Sequence, residues 1–260
     1  MNLLPQLFAA SLSLGLSLTA HAELDATQRG LQIAQEVKKR ESGFQSARVD
    51  IEMVLVDRQG QSSTRRLRNS IIEGRGDKNR LVFDAPPDVR GTVFLSFTNV
   101  DRADEQWLYL PALKRTKRIA SDNKAGSFMG SEFAFEDIAS QEVEKFTYKY
   151  LGDDAVGRAS FKLERIPRDE GSGYTRQIMW VDAERHVPLK IEYFDRRNEL
   201  QKTLVYTDYQ LYDAQFWKPA NMTMSNHQNG KSTVLKFSSY RFRAGVTAQE
   251  LDPQRIDNER

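Results

Sequence analysis

From Val49 onward, apolar and polar residues alternate with a period of two, the spacing that gives a strand one buried and one wet face. Phe146, Tyr148 and Tyr150 alternate with Lys145, Thr147 and Lys149, and Phe161 and Leu163 alternate with Lys162 and Glu164. The same spacing predicts strands near 65–73, 80–84, 175–181, 187–194, 203–211, 219–226 and 232–243. Turn signals such as Asp57-Arg58-Gln59-Gly60, Gly74-Arg75-Gly76-Asp77, Gly152-Asp153-Asp154 and Asn229-Gly230 punctuate them into an antiparallel meander. Ahead of the meander a helix is expected near 26–42. Asp25 and Gln28 would form its capping box, and Gly30, Ile33, Ala34 and Val37 its apolar stripe.

Two strands break the one-sided rule. Thr92-Val93-Phe94-Leu95-Ser96-Phe97 and Trp107-Leu108-Tyr109-Leu110 are apolar on both faces, so both faces need cover. Val93, Leu95, Phe97, Trp107 and Tyr109 are assigned to the inward face, and a one-residue change of register would substitute Phe94, Leu108 and Leu110. Between Ser121 and Ser140 a long stretch of small and polar residues carries Phe128, Met129, Phe133, Phe135 and Ile138. Each such side chain is worth about 1.5–3 kcal/mol when fully buried. They are expected either to plug the core or to form an adaptable wall of a ligand cavity.

Residues 3–18 are a nearly unbroken Leu, Ala, Ser and Phe run ending in Ala20-His21-Ala22, which reads as a secretory signal peptide cleaved after Ala22. No Lys or Arg precedes Arg29, so a retained anchor is the alternative, although the run is short for a spanning helix. The chain has no cysteine, which excludes disulfides, thiol metal sites and lipid attachment at an N-terminal Cys. Charged residues make up 28% of the chain, but 38 cations and 36 anions nearly cancel to +2, so a general nucleic-acid binder is excluded. Local basic clusters remain at Arg65-Arg66-Leu67-Arg68 and Lys114-Arg115-Thr116-Lys117-Arg118.

Arg90-Gly91-Thr92, then Trp107-Leu108-Tyr109-Leu110-Pro111 with Lys114-Arg115 and Arg118-Ile119, then Gly126-Ser127-Phe128-Met129-Gly130-Ser131-Glu132-Phe133 with Glu136-Asp137, resemble the outer-membrane lipoprotein-sorting protein family. That family is similar to the LolA/LolB periplasmic carriers. The resemblance spans 27–245, with its distinctive motif in about 90–140. It implies a mainly β (α+β) fold: a strongly curved, unclosed antiparallel β-barrel, with the N-terminal helix and a loop or helix lid over its mouth. The domain plan is then a signal peptide at 1–22 and a single half-barrel domain at 23–260. The resemblance also implies a periplasmic carrier for lipoprotein acyl chains or another hydrophobic cargo. Its expected partners are a resistance-nodulation-division (RND) type membrane transporter or an outer-membrane acceptor.

On this reading Val93, Leu95, Phe97, Trp107, Tyr109, Phe128, Met129, Phe133 and Phe135 form the cavity and lid, while Arg90, Arg115 and Arg118 meet a headgroup or a partner. No cofactor and no metal are expected. His186 and His227 fit no metal spacing, and no nucleophile elbow or phosphate loop occurs. The acid pairs Glu136-Asp137 and Asp153-Asp154 are expected to face solvent from turns, so the chain reads as no enzyme. The alternative to a carrier is an accessory scaffold of a membrane exporter with its concavity filled.

Overall fold

A computed structural model describes residues 15–120 and 123–257, with side chains from Asp25 onward. The first fourteen residues of the expected leader, and the side chains around its cleavage point, lie outside the described residues.

Helix α1 (Gly15–Glu41) precedes β1 (Ser46–Val56), β2 (Ser62–Ile72), β3 (Lys78–Ala85), β4 (Val93–Phe97), β5 (Glu105–Leu110) and β6 (Arg115–Ile119). A short helix α2 (Phe135–Ile138) lies in the connection to β7 (Phe146–Ala155), β8 (Ala159–Pro167), β9 (Arg176–Asp182) and β10 (Pro188–Phe194). β11 (Leu200–Tyr212), β12 (Phe216–Asn226) and β13 (Ser232–Phe242) complete the set. All belong to one 13-stranded antiparallel sheet in the order β6-β5-β4-β3-β2-β1-β13-β12-β11-β10-β9-β8-β7. Every neighbour is also a neighbour in sequence except β1 with β13, so the two arms of the meander meet in the middle. β6 and β7 are the edges and do not pair, which leaves the barrel unclosed.

The register explains why this sheet must curl. Ile51 lies opposite Leu67 and Phe237, Leu67 opposite Phe83, Leu81 opposite Phe94, and Phe94 opposite Leu108. On the other arm Met224 faces Leu204, Leu204 faces Ile191, Ile191 faces Met179 and Met179 faces Leu163. Directly opposed residues share a face, so one face is apolar across the whole sheet. A flat sheet would leave that face wet; wrapping it around a common core removes it from water.

The inward assignment of β4 and β5 is corrected by one residue. Phe94, Leu108 and Leu110 belong to the main core, whereas Val93, Leu95, Phe97, Trp107 and Tyr109 pack on the convex face with Val82, Leu251 and Ile256. The C-terminal segment beyond β13 supplies the cover that made these strands apolar on both sides, and so removed the sign from their alternation.

On the uncleaved chain α1 begins at Gly15, ahead of the expected cleavage point, so Asp25 lies inside the helix there and not at its N-terminus. Its stripe is where the spacing predicts: Ile33 and Val37 join the main core, and Ala34 packs with Phe146 and Tyr148. Gly30 faces the backbone of β7, where an added Cβ would sit 2.8 Å from the Tyr150 amide nitrogen.

Candidate functional site

The connection from β6 to β7 crosses the concave face as a strap, residues 123–142. Met129 and Gly130, with φ of 51° and 75°, turn its tip, and the Phe128 amide donates to the Phe133 carbonyl at 2.7 Å. This hairpin aims both phenyl rings inward. Phe128 and Phe133 are 0% and 1% exposed. The Phe128 ring lies 5.1 Å from Phe94, 5.6 Å from Phe135 and 6.1 Å from Phe83. The strap therefore occupies the space that the curled sheet encloses.

Polar contacts tie it down at three places. At the tip, the Glu132 amide donates to Thr233 Oγ1 at 3.0 Å, Asn226 Nδ2 donates to the Glu132 carboxylate at 2.7 Å, and Arg65 donates to the Met129 carbonyl. At the exit, the Ser140 amide donates to Thr98 Oγ1 at 3.1 Å, and Lys38 of α1 donates to Glu142 at 2.9 Å.

The middle tie is α2. Asp137 accepts from the Ala134 amide at 2.7 Å and from the Tyr174 hydroxyl at 2.9 Å. Lys202 on β11 donates to the Tyr174 oxygen at 3.1 Å and lies 3.8 Å from the Asp137 carboxylate. Beside it Glu136 accepts from Ser172 Oγ at 2.7 Å and from the Gly173 amide at 2.8 Å.

The side chains of Asp137 and Lys202 are 4% and 9% exposed, which corrects the expectation that the Glu136-Asp137 pair faces solvent. Burial pushes the Asp137 carboxyl up, and Lys202 and the hydrogen bonds pull it only partly back. Burial, then repulsion from Asp137, raises Glu136; burial also raises Asp77, which accepts from Ser140 Oγ at 3.1 Å.

Between the two edge strands, against the strap, lies a cavity of about 380 Å³. Gln106, Ile119 and Ala120 wall it on the β5–β6 side, and Phe146, Pro167 and Arg168 on the β7–β8 side. Two ion pairs sit in its wall: Lys145 with Asp104 at 2.6 Å, and Lys124 with Asp169. It is mixed in polarity and is not the greasy hollow that the sequence suggests. The apolar surface is elsewhere on the concave face, where Leu55, Tyr206, Met222, Phe237 and Tyr240 pack against the core but remain partly exposed.

Of the expected site residues, Phe128, Met129, Phe133 and Phe135 come together on the concave face. The five on β4 and β5 do not join them, for the reason given by the register. Arg90, Arg115 and Arg118 do not line the cavity: Arg118 pairs with Glu105 at 3.1 Å, and Arg90 Nε donates to the Asp84 carbonyl at 3.0 Å. Asp137, Tyr174 and Lys202 are the tie that sequence reasoning missed. Among the described residues no group of three or more His, Asp or Glu side chains is placed to hold a metal ion, and no helix is long and apolar enough to cross a membrane.

A family model described as "Uncharacterized protein" matches residues 75–256. No protein of curated function matches the chain. Among solved structures, an outer membrane lipoprotein-sorting protein domain from Vibrio parahaemolyticus is 46% identical and superimposes with a TM-score of 0.87, covering 89% of this chain and 99% of that one. A DUF1329 family protein from Desulfovibrio piger is 26% identical with a TM-score of 0.84, over 89% of this chain and 99% of that one. A LolA superfamily protein from Nitrosomonas europaea, 16% identical over 86% of this chain and 98% of that one, shares the fold with a TM-score of 0.70. With the unclosed barrel, the strap and this degree of identity to the Vibrio domain, the chain belongs to the outer-membrane lipoprotein-sorting protein family.

Proposed function

We propose that this protein is a periplasmic carrier that lodges the acyl chains of a lipoprotein, or another lipid, against its concave face after the strap withdraws. The observation that carries this reading is that the apolar face is filled by Phe128 and Phe133 from a connecting segment, not by the sheet's own side chains alone. An aromatic plug on a separable strap keeps the face dry when empty and gives a guest something of equal polarity to replace. Large, adaptable neighbours such as Met179, Met222 and Met224 suit a guest of irregular shape.

The cavity at the seam supports the same reading from its polar side. Its wall holds both signs of charge, with Lys124 and Lys145 paired to Asp169 and Asp104, so a guest with a polar head and a greasy tail has a place for each end. Such a carrier needs no catalytic group. It follows the cleaved leader as one half-barrel, in the periplasm, and passes its load to or from an RND-type transporter or an outer-membrane acceptor.

The strap must move for this to work, and that can be tested directly because the chain has no cysteine of its own. Glu132→Cys with Thr233→Cys places a pair where the Glu132 amide already lies 3.0 Å from Thr233 Oγ1. Oxidation should abolish uptake of a fluorescent acyl probe, and reduction should restore it. Equal uptake by the oxidised and reduced forms would remove strap withdrawal from the reading. Native mass spectrometry of gently purified protein identifies the natural load.

A further inference from the structure

The hairpin joining β5 to β6 ends in Pro111-Ala112-Leu113-Lys114-Arg115. Leu113 is 62% exposed, more than Leu31, Leu151, Ile166, Leu200 or Leu211, the other large apolar side chains open to solvent among the described residues. Lys114 and Arg115 follow it directly, Lys117 lies two residues further along β6, and all three are exposed.

The same end of the sheet gathers further cations. The register sets Arg66 opposite Ala85 at the end of β3, Val82 opposite Val93, Val93 opposite Tyr109, and Leu110 opposite Arg115. The start of β2, the β3–β4 turn and the β5–β6 hairpin are therefore neighbours, and a Cβ added to Gly91 in that turn would lie 3.3 Å from the Pro111 ring. Segments 62–68, 84–90 and 113–118 contain eight cations, Arg65, Arg66, Arg68, Arg90, Lys114, Arg115, Lys117 and Arg118, against two carboxylates, Asp84 and Asp88. With the carboxylates that neighbouring strands bring alongside, Glu105 beside Arg118 and Asp50 and Glu52 opposite Arg68 and Arg66, the corner keeps an excess of three cations in a chain whose whole net charge is +2, so positive charge is concentrated here. Of the carboxylates, Asp84 is engaged by Arg68 at 2.9 Å, and Glu105 from the start of β5 reaches only Arg118 in this group, at 3.1 Å.

We propose that this corner is a docking surface for an anionic lipid bilayer, with Leu113 entering the headgroup layer and Lys114, Arg115 and Lys117 meeting lipid phosphates. An exposed leucine on a turn that runs into exposed cations matches the chemistry of an interface that is negative at its surface and apolar beneath. An acidic protein would use the cations but has no need of a leucine held out on a turn. Seating would bring the strap's tip toward the bilayer, since Arg65 in the same corner holds the Met129 carbonyl. The surface stands on charge and exposure, and it is independent of what the concave face carries.

Flotation of the full chain with vesicles tests it, using phosphatidylglycerol and phosphatidylcholine at a 3:7 ratio against pure phosphatidylcholine. The protein should float with the anionic vesicles, should not float with the neutral ones, and should be released by 0.5 M salt. Reversal at Lys114→Glu, Arg115→Glu and Lys117→Glu should weaken binding by at least roughly a hundredfold, since losing about a kcal/mol for each of three cations near the surface gives that much and the new carboxylates add repulsion. Leu113→Asp should also weaken it, while Leu151→Asp, an equally polar change at an exposed strand position, should not. All of these positions are exposed, so the variants should unfold at the wild-type temperature. Equal partition to neutral and anionic vesicles, or undiminished binding by the triple reversal, would overturn the proposal. So would binding to polyglutamate without binding to either vesicle, which would assign the corner to an acidic protein.

Discussion

At the residue scale the decisive group is Asp137, because it fastens the strap with a carboxylate that burial makes harder to ionise. Its carboxyl is raised in the docked state and returns to the ordinary carboxylate range when the strap is released into water. The docked state therefore binds the proton more tightly, so protonation favours docking. Docking should be strongest at acid pH and weaken as pH rises through the raised value. Glu136 and Asp77 are shifted the same way and act in the same direction. The groups facing Asp137 are Lys202, Tyr174, Glu136 and Arg165, and the resulting direction already includes the two cations. Hydrogen exchange at residues 127–137, corrected for the intrinsic rate, should show rising protection relative to β9 as pH falls from 7 to 5. Asp137→Asn, which keeps the shape and removes the charge, should reduce that dependence to the part that Glu136 and Asp77 supply. A strap that loosens on acidification would show that the attraction to Lys202 outweighs burial.

At the element scale the strands were readable and their faces were not. Period-two spacing located β3 and β9 to β13 to within a few residues, because one side of each strand alternates visibly with the other. β4 and β5 are covered by the strap on one side and by Leu251 and Ile256 on the other, so Val93 and Phe94 look equally buried from sequence and both are. The tie of Asp137 to Tyr174 and Lys202 could not be read either, since three residues brought together by topology share no local spacing.

The corrected faces make a clean experiment. Phe94→Ala and Trp107→Ala should both destabilise the fold, Phe94→Ala by about 3–5 kcal/mol as a fully buried phenyl and the partly exposed Trp107→Ala by less. Only Phe94→Ala should alter the affinity for an acyl probe, measured under conditions where both variants remain folded. Gly30 gives a second element-scale prediction. Alanine there gains about 1 kcal/mol of helix propensity, but its methyl must displace the β7 backbone from 2.8 Å. Gly30→Ala should lower the unfolding temperature, and its largest loss of exchange protection should fall in β7.

At the scale of the whole molecule, the unclosed seam and the strap are one device. A closed barrel would fix its diameter by its hydrogen bonds, whereas edges at β6 and β7 leave the width of the concavity to whatever fills it. At present Phe128 and Phe133 fill it, and their removal by folding of the strap alone would expose Phe83, Phe94 and Leu108 to water. Replacing residues 126–135 with a Gly and Ser segment of equal length tests this balance, since the strands and their register are untouched. Without a guest, the variant should bind a hydrophobic dye strongly and self-associate, because a contiguous apolar patch has lost its cover. With an acyl ligand present, it should return to a monomer and bind more tightly than the parent, because the ligand no longer competes with the two phenyl rings. A variant that stays monomeric and free of dye, and takes up no ligand, would mean that the sheet closes over its own core when the plug is gone. The concavity would then be a product of the strap, not a site that the strap guards.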